Sequence, residues 1–189
     1  MNLQRLRQFS AAGHLDLYYA DESSFSMNPC LPYGWQAKGE TVGIVPHRNR
    51  KTNVFGIFRA DNFSFTRICD SNMKAEFIAS AIDEFAQNLP ADKPSVLVLD
   101  NAATHHSLLF RAKSAGWQEK GLYLFYLPKY SPHLNLAETF WRKAKYEWLK
   151  PADYLSFDRF KEKVTEIFTN IGSKYRVNFK ELKCQSNSA

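Results

Sequence analysis

The sequence lacks the marks of several protein classes. Its three cysteines, Cys30, Cys69 and Cys184, are far apart and form no CxxC pair, so neither a disulfide framework nor a zinc knuckle is indicated. No run approaches the roughly 18 consecutive apolar residues that cross a bilayer, which excludes a membrane-spanning helix. The opening segment, MNLQRLRQFSAAGH, has two arginines but no apolar core with a small-residue cleavage site after it. A secretory signal is therefore not expected, and the expected compartment is the cytoplasm. Repeats, linkers and low-complexity tracts are missing too, which leaves one globular domain.

What is present suits such a domain. The 189 residues are 44% hydrophobic and 15% aromatic, too apolar for disorder. A chain of this length buries roughly 70% of its unfolded surface and needs no staple. The net charge of +6 is modest but uneven. Basic side chains outnumber acidic ones by seven to four in residues 1–60 and by twelve to seven in 129–189, while residues 61–128 hold six against eight.

Periodicity predicts the element order. Residues 1–14 read as a polar lead. Leu15 to Ala20 reads as a strand ending at Asp21, followed by extended stretches around Tyr33-Gly34-Trp35 and Thr41 to Val45. A basic turn over 46–51 then leads into strands at Asn53 to Arg59 and Phe63 to Cys69, giving an antiparallel meander. From Met73 to Leu89 the apolar residues recur at steps of three and four, the pattern of an amphipathic helix. Residues 95–99 (SVLVL) and Leu122 to Leu127 read as strands buried on both faces. Helices are predicted over about 105–119, 136–149 and 157–171. The class is α/β, a mixed sheet flanked by helices, with 15–150 as the core and 151–189 as a helical extension of it.

Two acidic residues sit where open α/β sheets carry ligands, beyond the carboxyl ends of strands: Asp100 after SVLVL and Asp21 after the first strand. Glu138, in the first turn of the helix after the last strand, would face the same edge. Converging carboxylates need a cation, and hard oxygen donors suit Mg²⁺ or Mn²⁺. Two such ions about 4 Å apart support in-line phosphodiester chemistry. Other readings exist: an Asp after a strand often forms an Asx turn, and Asn135 with Glu138 fits a capping box. Asp16, Glu22 and Asp70 compete for the same assignment.

Longer blocks occur in a telling order: Asp21-Glu22-Ser23-Ser24-Phe25, Tyr33-Gly34-Trp35 with Lys38-Gly39, Val98-Leu99-Asp100-Asn101-Ala102 with His105, and Leu127 to Asn135 (LPKYSPHLN) with Glu138 and Trp141. Over about Leu15 to Leu149 the chain resembles the catalytic domain of bacterial insertion-sequence transposases related to the mariner superfamily, the DDE endonuclease group. The resemblance implies a ribonuclease-H-like, integrase-type fold and two-metal DNA cutting and joining. Asp21, Asp100 and Glu138 match the three acidic positions, with 37 residues between the second and third. Asp100 would bridge both ions, and Asp21 and Glu138 would each complete one. Asn101 would orient Asp100 or a phosphate, Asn135 would support the site, and His105 would either contact DNA or be a satisfied helix-start histidine. The partners implied are double-stranded DNA, as terminal inverted repeats and target, and a second copy of the chain. Relatives carry a larger residue near Ala137, which bears on packing. They also place a helix-turn-helix region upstream, where only 14 residues precede the first strand here, so the expectation is either a downstream product with a separately encoded helix-turn-helix portion or a truncated relic. The location implied is the nucleoid of a prokaryotic cell.

For DNA contact the candidates are Arg48, Arg50 and Lys51 at a hairpin tip, Lys129 in the loop before Glu138, and Arg142, Lys143 and Lys145 beyond it. Trp35, Trp141 and Trp148 read as packing residues. Two alternatives keep the fold: an inactive remnant that only binds DNA, and a stand-alone ribonuclease-H-like nuclease. The second would need a fourth acid, for which only Glu147 and Asp153 offer themselves. A zinc hydrolase using His105 and His106 is disfavoured, because adjacent histidines on a helix diverge.

Overall fold

The structure, a computed structural model, describes residues 2–28, 38–39, 50–129 and 131–179. Its centre is a five-stranded sheet in the order β3-β2-β1-β4-β5. These strands are β1 (Asp16–Ser26), β2 (Lys51–Phe58), β3 (Ser64–Cys69), β4 (Ser95–Leu99) and β5 (Leu122–Tyr126). The meander β1-β2-β3 is antiparallel, whereas β4 and β5 run parallel to β1. Mixed pairing follows from the connections, since a short turn joins β2 to β3 and helices carry the chain back to the later strands.

Strand alternation divides the core in two. Tyr18 and Ala20 of β1 and Leu97 and Leu99 of β4 face α2 (Ala75–Gln87) and α3 (Leu108–Glu119). Leu17 and Tyr19 with Val96 and Val98 face α1 (Leu3–Ala11), α4 (Ala137–Lys143) and α5 (Phe157–Thr169). On this second face the rings of Phe58 and Phe140 stack with centroids 4.4 Å apart. Fully burying such a side chain contributes about 1.5–3 kcal/mol. Residues 151–179 share that cluster through Phe160, Val164, Phe168 and Val177. Asn62, at φ 73°, donates to the Val177 carbonyl at 3.0 Å and so ties the tail to the β2-β3 turn. No helix among the described residues is long and apolar enough to cross a membrane.

Four expectations need correction. Residues 3–11 form a helix, not a polar lead: Asn2 caps it by accepting from the Arg5 amide at 2.9 Å, and Leu3 and Leu6 are buried. The first strand does not stop at Asp21 but runs to Ser26, because the ladder with β2 pairs residues 19–26 regardless of their polarity. β5 is not buried on both faces; it is the sheet's outer strand, and Tyr123 is 45% exposed. The helix expected over 105–119 begins as a separate 3₁₀ turn, Ala103–His106, because extended Ser107 interrupts it and caps α3 through Phe110. The last helix of the core continues past α4 as a π-helical turn, Ala144–Trp148. The stretches around Trp35 and 41–45, and Arg48 of the basic turn, lie outside the described residues.

Candidate active site

Register brings the first two acids together. β1 and β4 pair from Asp16 opposite Ser95 to Tyr19 opposite Val98, and continuing that register by two residues sets Asp21 opposite Asp100 at the carboxyl end of the parallel pair. Neighbouring strands lie about 4.8 Å apart, so both carboxylates belong to one edge of the sheet.

Asp21 points to the α4 face. Its Oδ1 accepts from the Glu22 amide at 2.9 Å and its Oδ2 from Trp141 Nε1 at 3.0 Å. Burial pushes its pKa up to about 7, helped by the negative charge of Glu22 and, more weakly, of Glu138, against those two hydrogen bonds. Trp141 is fixed by the rings of Phe58 and Phe168, at 5.0 and 5.3 Å. Opposite Asp21 on β2 stands Gly56, where a Cβ would come within 2.8 Å of the Trp141 ring. Glycine is required here because a Cβ would press into the Phe58 ring, nearer still than that indole.

Asp100 is more open, and its environment is reversed. Its Oδ1 accepts from the Ala102 amide at 3.0 Å and from His105 Nδ1 at 2.8 Å. The His105 hydrogen bond holds its carboxyl below the usual range, against a smaller effect of burial. His105 is buried, and its Nε2 faces Glu22 Oε1 at 3.4 Å, an ion-pair distance rather than a hydrogen bond. Burial opposes a charged imidazole, but the two carboxylates outweigh it and push its pKa up to about 10. His105 is therefore an internal link between acids, not a surface group for DNA.

Glu138 is exposed in the first turn of α4 and accepts no hydrogen bond from a described residue. The capping box is not formed. The Asn135 amide donates to the Pro132 carbonyl, while the buried Asn135 side chain accepts from Ala137 and donates to the Ala20 carbonyl at 3.0 Å. Asn135 thus latches the start of α4 to β1 beside Asp21, and Glu138 is free of any such bond to a described residue. Arg7 of α1 adds a brace, donating from Nη2 to the Leu134 carbonyl at 3.1 Å.

Around these acids lie two clefts. One, of about 400 Å³, is lined by Asp100, Asn101, Lys129 and Pro132. The other, of about 420 Å³, is lined by Glu138, Arg142 and Lys145 together with His133 and Tyr146, neither of which stood out in the sequence. Asn101 is turned to His106 through its Oδ1 rather than to Asp100. Lys145 lies 5.2 Å over the Phe25 ring, and Lys143 pairs with Glu147 at 2.7 Å. Lys51 opens β2 and is exposed, and Arg50 lies over the Phe157 ring at 5.3 Å. Glu147 is committed to Lys143, and Asp153 is buried and accepts from the Lys150 amide. Neither serves as a fourth acid at this edge.

Among the described residues no three His, Cys, Asp or Glu side chains come close enough to hold one ion together. The donor chemistry nevertheless fits a hard divalent cation: carboxylate oxygens from two paired strands and, among the described residues, a third carboxylate without a partner and no positive neighbour at Asp21. Glu22 stood in the sequence only as a rival for the acidic assignment, and its contact with His105 and the Trp141 N–H to Asp21 were not foreseen. Trp141 was legible as a packing residue, but its polar reach to Asp21 depends on tertiary structure.

A family model described as DDE superfamily endonuclease matches residues 16–161. No curated protein matches the chain. Among solved structures, the Mos1 strand transfer complex superposes with a TM-score of 0.60 at 16% identity, over 88% of this chain and 50% of that one. The Mos1 mariner paired end complex with Mn gives 0.58 at 16% identity, over 88% and 52%, and the paired end complex with Mg gives 0.55 at 14%, over 87% and 52%. The chain thus spans about half the length of the Mos1 chains it matches. At these identities the likeness establishes the fold, the expected ribonuclease-H-like mixed sheet flanked by helices.

Proposed function

The chain belongs to the DDE superfamily endonuclease family, and from that premise we propose that it is the catalytic core of a DNA transposase, cutting phosphodiesters at the ends of a mobile element and joining the freed 3′ hydroxyl to target DNA. The observation that carries this reading is the β1–β4 register, which continued by two residues sets Asp21 opposite Asp100, with the Glu138 carboxylate, unpartnered among the described residues, on the neighbouring helix. Asp21, Asp100 and Glu138 would hold two Mg²⁺ or Mn²⁺ ions. When bound, these ions would make water or a 3′ hydroxyl a competent nucleophile and neutralise the leaving oxygen.

The chain's own groups do the rest. His105 and the Ala102 amide occupy one oxygen of Asp100 and leave the other for a cation. Trp141 fixes the carboxylate of Asp21, and Asn135 fixes the helix that carries Glu138. Lys129, Arg142 and Lys145 line the two clefts and are positioned to pair with phosphates beside the scissile bond. Target and end DNA and a second copy of the chain are the partners this function needs.

The test is nicking of duplex DNA that carries the cognate end, with Mg²⁺ or Mn²⁺. Asp100→Asn is expected to abolish nicking and leave the melting temperature within a few degrees; undiminished cleavage would overturn the assignment. No observation favours the stand-alone nuclease, because the two candidates for its fourth acid are engaged elsewhere.

A further inference from the structure

Glu22 has no part in the acidic triad, and alternation along β1 puts it on the sheet face opposite to Asp21. It is only a quarter exposed, its side-chain accessibility being 24%, and the group it faces is the fully buried imidazole of His105. That imidazole is held from several sides. Its ring lies 5.5 Å from Phe110, and its backbone carbonyl accepts from the Tyr126 hydroxyl at 3.0 Å. Its other nitrogen, Nδ1, reaches Asp100 Oδ1 at 2.8 Å. Both bonds that Asp100 receives fall on Oδ1, and Oδ2 accepts none from a described residue.

From this geometry we propose that Glu22 is a positioning residue: through His105 it fixes the rotation of the Asp100 carboxylate, so that Oδ1 is consumed by the protein and Oδ2 alone is offered to a divalent cation. The inference rests on the metal-dependent reading above. The Glu22 carboxylate walls the ring at Nε2, 3.4 Å away, while Phe110 flanks it and Tyr126 holds its backbone, so that Nδ1 stays turned to Asp100 Oδ1. Without Glu22 the ring loses the group that faces Nε2 and is free to turn. Such partners behind a ligand typically govern metal affinity by about 10- to 100-fold.

The experiment is Mn²⁺ binding to the full chain without DNA, followed by the electron paramagnetic resonance of free Mn²⁺. Circular dichroism melts accompany it. Glu22→Gln keeps the side chain's size and is expected to weaken binding about tenfold; Glu22→Ala is expected to do so at least equally. Gln keeps the measurement interpretable should the alanine variant fail to fold. A role in folding alone would lower the melting temperature and leave the Mn²⁺ affinity of the folded protein unchanged, and that result would overturn the inference. A direct charge effect on the ion is separated by a double-mutant cycle. In a His105→Gln background Glu22→Gln should add nothing, and a full additive loss would overturn the relay. Asp100→Asn is the control for the underlying reading. If it leaves Mn²⁺ binding intact, the metal assignment fails; if it abolishes binding while Glu22→Gln does not change it, only the positioning role fails.

Discussion

Two aspartates on β1, five residues apart, show how the same side chain is used in opposite ways. Asp16 is buried at the start of the strand, and its Oδ1 meets Arg59 Nη1 at 2.8 Å and Lys93 Nζ at 3.1 Å. Asp21, near the carboxyl end of the parallel pair, receives only neutral N–H donors and has Glu22 and Glu138 as its charged neighbours. The chain supplies the counter-charge of Asp16 itself, and among the described residues it supplies none to Asp21. A carboxylate of the first kind stabilises the fold, whereas one of the second kind costs stability until a cation arrives from outside.

Exchanging each for asparagine should separate the two most widely. Asp21→Asn should lower nicking by about a thousandfold or more, because a metal ligand is lost. In EDTA it should raise the melting temperature, because the buried repulsion is lost as well. Asp16→Asn should do the reverse, lowering stability by about 1–3 kcal/mol as Arg59 and Lys93 lose their buried partner. It should leave nicking per folded molecule unchanged. Urea denaturation and the nicking assay on both variants decide this, and a loss of stability in Asp21→Asn would break the comparison.

A smaller effect is expected from the indole. Trp141→Phe keeps the ring contacts with Phe58 and Phe168 but removes the N–H that Asp21 Oδ2 accepts. Nicking should fall about tenfold, with the Mn²⁺ requirement shifted upward, as for the loss of a group behind a ligand. An unchanged Mn²⁺ dependence would mean that Trp141 only packs.

pH sharpens the same contrast. Asp21 is near 7 in the folded protein, above the unfolded value of 3.8. Between these values the folded state holds the extra proton, so stability falls as pH rises through that window. Without divalent cations the melting temperature of the wild type should therefore drop more between about pH 5 and 8 than that of Asp21→Asn. Parallel profiles would remove the evidence for a carboxylate short of positive charge.

Legibility in the sequence followed the range of the interactions. SVLVL announces β4 because a strand covered on both faces is apolar at every position, and the stepped apolar residues of 77–85 announce α2 because a helix buries one stripe. β1 beyond Asp21 was not legible, since Glu22, Ser23 and Ser24 have no strand signature and are held there by pairing with β2. α1 had only an Asn2 cap and two leucines to mark it. At the site, the acidic residues and Asn135 were legible through their motifs, and the contacts that tune them were not. Glu22 meets His105, and Trp141 meets Asp21, only after the sheet has assembled, and no local pattern encodes such distant pairs.

The smallest effect belongs to a cluster that resembles Asp16 in having its counter-charges built in, but lies on the surface. Glu166 of α5 receives Lys163 at 2.7 Å, Lys174 at 2.5 Å and the Tyr175 hydroxyl at 3.1 Å. The hydrogen bonds from Lys163 and Lys174 lead in holding its pKa down to about 2. Because the folded value lies below the unfolded 4.5, the stability it adds is present in full above about pH 4.5 and is lost as pH falls through about 2. Its side chain is 34% exposed, so solvent screens the pairs and Glu166→Gln should cost less than about 1 kcal/mol at pH 7. The difference from wild type in urea midpoint should shrink steadily below pH 4.5, with nicking untouched at neutral pH. A larger loss, or one that persists at pH 2, would mean that charge satisfaction at the surface of α5 matters to this fold as much as it does around Asp16.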